Sequence, residues 1–237
     1  MDIEINIHCY NYQRRLTWML SSILQQNGNM PNITISISYT PNNGDPTTEE
    51  VIKFFRDKGL SIVEIVLTPE QVSNRAIART LRAKETHADW ILYADGDLVY
   101  DPNFFADLKE KLDSEKYKDG DKVFGADRYS LNDKFCIEYF EKDDRKYPCE
   151  IENVVDIAKA WPVKWVSGKG TCAGYFQLAR VSAIREKNVS YSNRPRDHWR
   201  QTKGDREFRI NMGGRVPIEV LPIYHLNHDR GGPDIQR

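Results

Sequence analysis

An alternation of hydrophobic period runs through the first half of the chain and leaves few folds open. Ile3, Ile5 and Ile7 alternate with polar residues, the period of a strand. Arg14 to Gln26 then places Leu16, Leu20, Ile23 and Leu24 on one helical face. Ile33, Ile35 and Ile37 restore the strand period, and Pro41 to Pro46 is a run of turn residues. Thr47 or Thr48 caps a second helix, which carries Val51, Ile52, Phe54 and Phe55 and stops near Gly59. Ser61 to Leu67 reads as a third strand. Pro69 to Glu85 reads as one long helix with Val72, Ala76, Ile77 and Leu81 as its buried stripe. Trp90 to Ala94 is a continuous apolar run, which suits a strand covered on both faces. Strands that alternate with helices imply β-α-β units, hence an α/β fold with a mainly parallel central sheet flanked by helices.

After about Asp127 the segments become irregular, Gly-rich and aromatic. Lys122 to Ala126, Trp165 to Ser167, Tyr175 to Leu178 and Pro217 to His225 read as strands, and Val181 to Lys187 as a short helix. The chain of 237 residues is divided into halves, 1–127 and 128–237, within one compact domain large enough for a sizeable core. Its formal net charge of −1 excludes a polycation, so affinity for a polyanion needs a local patch. No apolar run approaches the roughly 18 residues of a membrane span. The N-terminus lacks the basic and apolar regions of a signal peptide. The four cysteines are widely spaced with no C-x-x-C pair, which argues against a zinc site and a disulfide framework and sets an intracellular, cytoplasmic compartment as the expectation.

Asp95-Gly96-Asp97 follows the buried apolar run directly. Ligands of open α/β sheets bind outside the carboxyl ends of the strands. Two carboxylates at i and i+2 leave a strand on one face, and Gly96 permits a tight turn between them. Such a pair suits Mg²⁺ or Mn²⁺ shared with a diphosphate. The competing reading is an acidic turn that caps a helix starting near Pro102. An EF-hand is excluded, because Val99 and Tyr100 stand where that loop needs an acid or amide and a glycine.

At these residues the chain resembles the GT-A glycosyltransferases, and family 2 in particular. His8-Cys9-Tyr10-Asn11 is similar to the end of the family's first strand, beside the nucleotide. Ser73 to Arg79, continued through Trp90 to Asp97, is similar to its helix–strand–DxD stretch. Val166 to Tyr175 resembles its Gly-rich acceptor-side loop. Gly204-Asp205-Arg206-Glu207-Phe208 resembles the segment that supplies the catalytic base, and Tyr224-His225-Leu226 its C-terminal metal-binding histidine. The chain departs from the family at the end of the second strand. Ser38-Tyr39-Thr40 stands there in place of the acids that grip base and ribose, which leaves the nucleotide base open.

The resemblance implies a GT-A, Rossmann-like nucleotide-diphospho-sugar transferase fold. Residues 1–127 would bind the nucleotide sugar, and 128–237 would hold the acceptor and the base. It implies a metal-dependent enzyme that moves a sugar from a nucleotide-diphosphate donor, UDP-linked by preference, to an acceptor hydroxyl. Asp97 would bind the metal, Asp95 the ribose or a metal-bound water, and His225 would complete the shell, with His228 as its rival. A divalent ion there neutralises charge on the departing diphosphate. Asp205 would take the acceptor proton, with Glu207 as the alternative. One base on the acceptor side fits a single displacement with inversion.

Further residues have donor roles and plain alternatives. Arg75, Arg79 and Arg82 share a helix face and either reach the diphosphate or face solvent. Tyr10, Tyr12 and Tyr39 either stack on a nucleobase or pack the rim, and Asn11 accompanies them. Gly168, Gly170 and Gly174 either let backbone approach the sugar or only turn the chain. Between Arg180 and Arg215, ten Lys or Arg face four Asp or Glu, with Tyr191, Trp199 and Phe208 interleaved. That stretch is either a solvated loop or a surface for the diphosphate or an anionic acceptor. The acceptor classes left open are a glycan, a glycoconjugate and a modified nucleic acid. The competing functions are a sugar nucleotidyltransferase, disfavoured because the first strand is not followed by a Gly-rich phosphate loop, and a non-catalytic GT-A-like module that binds sugar or nucleic acid.

Overall fold

The computed structural model of the chain describes residues 1–42, 44–72, 74–117, 121–166, 174–191 and 203–227. β1 (Asp2–His8), α1 (Gln13–Leu24), β2 (Asn32–Tyr39), α2 (Thr48–Asp57) and β3 (Ile62–Val66) follow one another as the periods require. Thr47 caps α2 in a reciprocal capping box with Glu50. Next come α3 (Pro69–Val72), α4 (Arg75–Glu85), β4 (Trp90–Asp95), β5 (Leu98–Tyr100) and α5 (Phe104–Asp113). The second half adds β6 (Val123–Gly125), β7 (Tyr129–Leu131), α6 (Asp133–Lys142), α7 (Val154–Ala160), β8 (Val163–Val166), β9 (Phe176–Arg180), α8 (Val181–Glu186), α9 (Lys203–Asn211), β10 (Arg215–Pro217) and β11 (Ile223–His225).

Seven strands form the main sheet in the order β10-β6-β9-β4-β1-β2-β3. Its β4-β1-β2-β3 half is wholly parallel, and β9 runs against both of its neighbours, β4 and β6. The continuous apolar run of β4 has a direct cause. Trp90, Leu92 and Ala94 join one core cluster with residues of α1, α2 and α5, while Ile91 and Tyr93 join another with residues of α4, α8 and α9. Both faces of the sheet are therefore dry, as a parallel sheet between helices requires.

Four expectations fail in detail. The stretch 69–85 is two helices, because Asn74 takes an extended conformation and its side chain accepts the Ala76 N–H at 3.1 Å, starting α4 afresh. Its buried face also differs, with Leu81 38% exposed and Arg79 only 2%. The run 217–225 is not one strand: β10 ends at Pro217 in the main sheet, and β11 begins at Ile223 in a second sheet. Residues 133–160, read as irregular, hold α6 and α7. Asn132 caps α6 by accepting the Phe135 N–H at 3.1 Å.

The second sheet, ordered β5-β11-β7-β8, positions the site. β11 lies between β5 and β7, with His225 opposite Leu98 on one side and Ser130 on the other. Trp18 of α1 joins this sheet to the rest. It is fully buried among Tyr139, Phe140 and Trp161, with ring centroids at 5.5, 5.6 and 5.2 Å, and its indole N–H donates to the Tyr147 hydroxyl at 3.1 Å.

Candidate active site

Polar groups converge at the carboxyl end of β4. Asp95 is the last residue of the strand, in register with His8 of β1. A β-carbon on Gly96 would meet the Ile7 side chain at 3.3 Å, so the turn presses against β1 and a larger residue is poorly accommodated. The two carboxylates then part company. Asp97 turns to β11, where its Oδ2 lies 3.1 Å from His225 Nε2 and its carbonyl accepts the Leu226 N–H at 2.9 Å. Asp95 turns to α4 and accepts from Arg75 Nη1 at 3.0 Å.

Asp205 sits in the first turn of α9, where the helix dipole favours a negative charge. Its Oδ1 accepts from Arg79 Nη1 at 2.6 Å, and its Oδ2 lies 3.9 Å from Arg75 Nη2. Arg79 also approaches Asp95 at 4.0 Å and donates to the Gly174 carbonyl at 3.3 Å. The Tyr93 and Tyr191 rings enclose its guanidinium, their centroids 5.5 and 5.0 Å away. Burial opposes the Arg79 charge, but Tyr191, Asp205 and Asp95 outweigh it and hold its pKa above the ordinary value. Two arginines and two carboxylates thus form one cluster at the edge of the sheet. Burial, reinforced by Arg75 and Arg79, pushes the His8 pKa down to about 3, so that ring is neutral.

Contacts from β9 support Asp205 in turn. Gln177 of β9 donates to its backbone carbonyl at 3.2 Å, and the Tyr191 hydroxyl donates to Gln177. Gly174 has a purpose the sequence leaves ambiguous. A β-carbon there would lie 2.2 Å from Asp205 Oδ2, so only glycine lets the carboxylate reach Arg79. Glu207, two residues along α9, projects from a different helix face.

The structure sorts the remaining candidates. Tyr39 is 2% exposed, and its hydroxyl donates to Glu64, so the ring belongs to the core; Tyr10 is 40% exposed at the end of β1. Asn11 takes a left-handed φ of 59°, and its Oδ1 is buried with no hydrogen-bond partner among the described residues. Thr40 Oγ1, after the adjacent strand, is in the same state. Two buried polar atoms without a protein partner among the described residues thus lie at neighbouring strand ends. Arg82 does not face solvent but grips buried Glu4 through two 2.7 Å bonds. Tyr191 and Phe208 are buried and stacked on each other at 4.4 Å, so they do not form a polyanion surface. Arg185 and Lys187 are occupied by backbone carbonyls. Gly168, Gly170, Trp199 and His228 lie outside the described residues. Spacing offered no signal for Arg128 or Trp165, whose rings and guanidinium meet only in three dimensions.

A model of the family described as Glycosyl transferase family 2 matches residues 5–135, more than half of the chain. The chain belongs to glycosyltransferase family 2. No curated protein matches this family 2 sequence. Among solved structures, the first 349 residues of S. aureus TarS in complex with UDP-GlcNAc are similar, with a TM-score of 0.61 and 13% identity. That likeness covers 98% of this chain and 60% of the other. The mannosyltransferase PcManGT from Pyrobaculum calidifontis, in complex with GDP-Man and Mn²⁺, is similar with a TM-score of 0.60 and 10% identity, covering 97% and 58%. A longer TarS structure gives 0.60 and 11%, with 36% of its length covered. The family 2 chain therefore spans about a third to three fifths of the proteins it resembles, and at these identities the likeness establishes the GT-A fold.

Among the described residues of this family 2 domain, no group of three or more His, Cys, Asp or Glu side chains could hold a metal ion. The Asp97–His225 pair nonetheless fits a Mg²⁺ or Mn²⁺ that takes its other ligands from water and substrate phosphates. No helix among those residues is long and apolar enough to cross a membrane.

Proposed function

We propose that this chain transfers a sugar from a nucleotide-diphosphate donor, a UDP-sugar first, to an acceptor hydroxyl, with a divalent ion and with inversion. The observation that carries the proposal is the Asp97–His225 pair, which joins residues 128 positions apart within 3.1 Å at the carboxyl end of the central strand. When bound there, Mn²⁺ or Mg²⁺ supplies charge neutralisation to the leaving diphosphate. Asp97 and His225 would hold it. Asn11 and Thr40 present the polar atoms that suit the nucleotide's base and ribose, beside exposed Tyr10. Arg75, 30% exposed at the start of α4 and paired with Asp95, has further guanidinium N–H groups that would meet the diphosphate.

Asp205 is the base. Arg79 holds its Oδ1, which leaves Oδ2 to accept the acceptor proton as the new bond forms. Asp95 stays paired with arginine and is unsuited to attack from the opposite face, in keeping with a single displacement. The UDP-GlcNAc and GDP-Man complexes of the two similar structures support a nucleotide-sugar donor.

The test is a donor screen that measures nucleoside diphosphate released from a panel of nucleotide sugars, with Mn²⁺ or with chelator. One donor should be hydrolysed in a metal-dependent way, and Asp97→Ala should abolish that release. Release that survives chelator and the substitution would sink the metal role. Binding of a nucleotide sugar without release, even with acceptors supplied, would make the chain a binding module.

A further inference from the structure

The second sheet carries, beside the candidate metal ligand His225, side chains that the donor chemistry leaves unused. Ser130 on β7 is in register with His225 on one side and with Trp165 on the other. Residues paired in register share one face of a sheet. His225, Ser130 and Trp165 therefore form a line that starts at the candidate metal ligand and ends at β8, the outermost strand of this sheet among the described residues. Two strand spacings separate its ends, about 10 Å; Ser130 and His225 are buried, and the line reaches the surface at Trp165. Trp165 is 41% exposed, whereas Trp18, Trp90 and Trp161 are all buried. An exposed indole on the face that carries a candidate ligand is not explained by packing.

Arg128 lies on the same face, two residues before Ser130 on the approach to β7. Its guanidinium is 3.9 Å from the Tyr175 ring centroid and 5.6 Å from that of Trp165. Tyr175 ties this wall to the reacting groups. Its hydroxyl donates to the Ala126 carbonyl at 2.8 Å, its own carbonyl accepts the Asp95 N–H at 3.2 Å, and it follows Gly174, against which Asp205 rests. Trp165, Arg128 and Tyr175 thus run from the edge of the molecule to the base.

We propose that Trp165 and Arg128 form the acceptor subsite and that its ligand is a saccharide. The apolar C–H face of a pyranose would lie on the indole, and a ring hydroxyl or an anionic substituent would bond to the guanidinium. The subsite rests on the transferase reading for its role in the reaction, but saccharide binding can be tested without it.

The probe is a panel of neutral p-nitrophenyl glycosides and sugar 1-phosphates, observed by saturation-transfer NMR on the whole chain, wild type against Trp165→Ala and Trp165→Phe. One class should give a signal in the wild type that Trp165→Ala loses and Trp165→Phe partly restores. Affinity for the nucleoside diphosphate should be the same in all three, and the melting temperatures should agree. With the donor from the hydrolysis screen, Trp165→Ala should raise the acceptor KM by about tenfold, the weight of one ring contact. If the wild type releases no nucleoside diphosphate yet shows a saccharide signal that needs Trp165, the transferase reading falls and the subsite stands. If the wild type turns over donor while Trp165→Ala keeps both the saccharide signal and the acceptor KM, the subsite falls alone. Absence of any saccharide signal in the wild type, or a concentration-dependent dimer that Trp165→Ala abolishes in its place, also overturns the subsite.

Discussion

Gly174 illustrates how one missing side chain sets the chemistry. A β-carbon there would stand 2.2 Å from Asp205 Oδ2 and 2.7 Å from its Cγ, so Gly174→Ala must push the carboxylate away and break its 2.6 Å bond to Arg79. Misplacing a reacting group by about 1 Å costs roughly a hundredfold. Transfer by Gly174→Ala should therefore fall by about that factor, and the melting temperature should fall as well, because Arg79 stays buried while its carboxylate partner is displaced. Steady-state transfer and thermal unfolding of the same preparation check both halves, and wild-type turnover would remove Asp205 from its role. Glycine in this stretch is legible from sequence as freedom of the backbone. The carboxylate it makes room for is not, because Asp205 meets Gly174 and Arg79 only after α9 packs on β9 and α4.

The helix α4 carries both arginines of the charge cluster, and its start decides where Arg75 and Arg79 point. Asn74 accepts the Ala76 N–H and separates α4 from the short α3. Asn74→Ala should cost about 1 kcal/mol of stability, read from the midpoint of urea unfolding at unchanged slope. An unaltered midpoint would mean that packing alone starts the helix. The period of residues 69–85 announces a helix but hides this break, since neither Gly nor Pro interrupts the pattern. The period also misassigns the buried face. An arginine at a helical position reads as solvent-facing, yet Arg79 is enclosed because Asp205 and two tyrosine rings replace its water. Arg82 is drawn inward in the same way by Glu4 of β1. Such pairs join residues 78 and 126 positions apart, beyond any local pattern.

Across the whole molecule, function depends on the second sheet lying against the first. Trp18 is the peg between them, on α1 and buried among the aromatic rings of α6 and the residue after α7. Trp18→Ala should destabilise the protein by about 3–5 kcal/mol, seen as an early loss of near-ultraviolet circular dichroism in denaturant. A loss under about 1 kcal/mol would mean that the sheets are joined elsewhere. The sequence by itself determined the parallel half of the main sheet, because an alternation of period is a local property that each segment carries alone. It also determined that Asp95 and Asp97 stand at a strand's carboxyl end, since the buried run and the acids are adjacent. Tertiary structure alone decided that these two carboxylates serve different partners. The short strands β5, β7 and β11 have only three residues each, too few to show a period, and their pairing is what sets His225 beside Asp97. It likewise decided which arginines are buried and that Trp165, among the described tryptophans, is exposed, because burial depends on what arrives from distant parts of the chain.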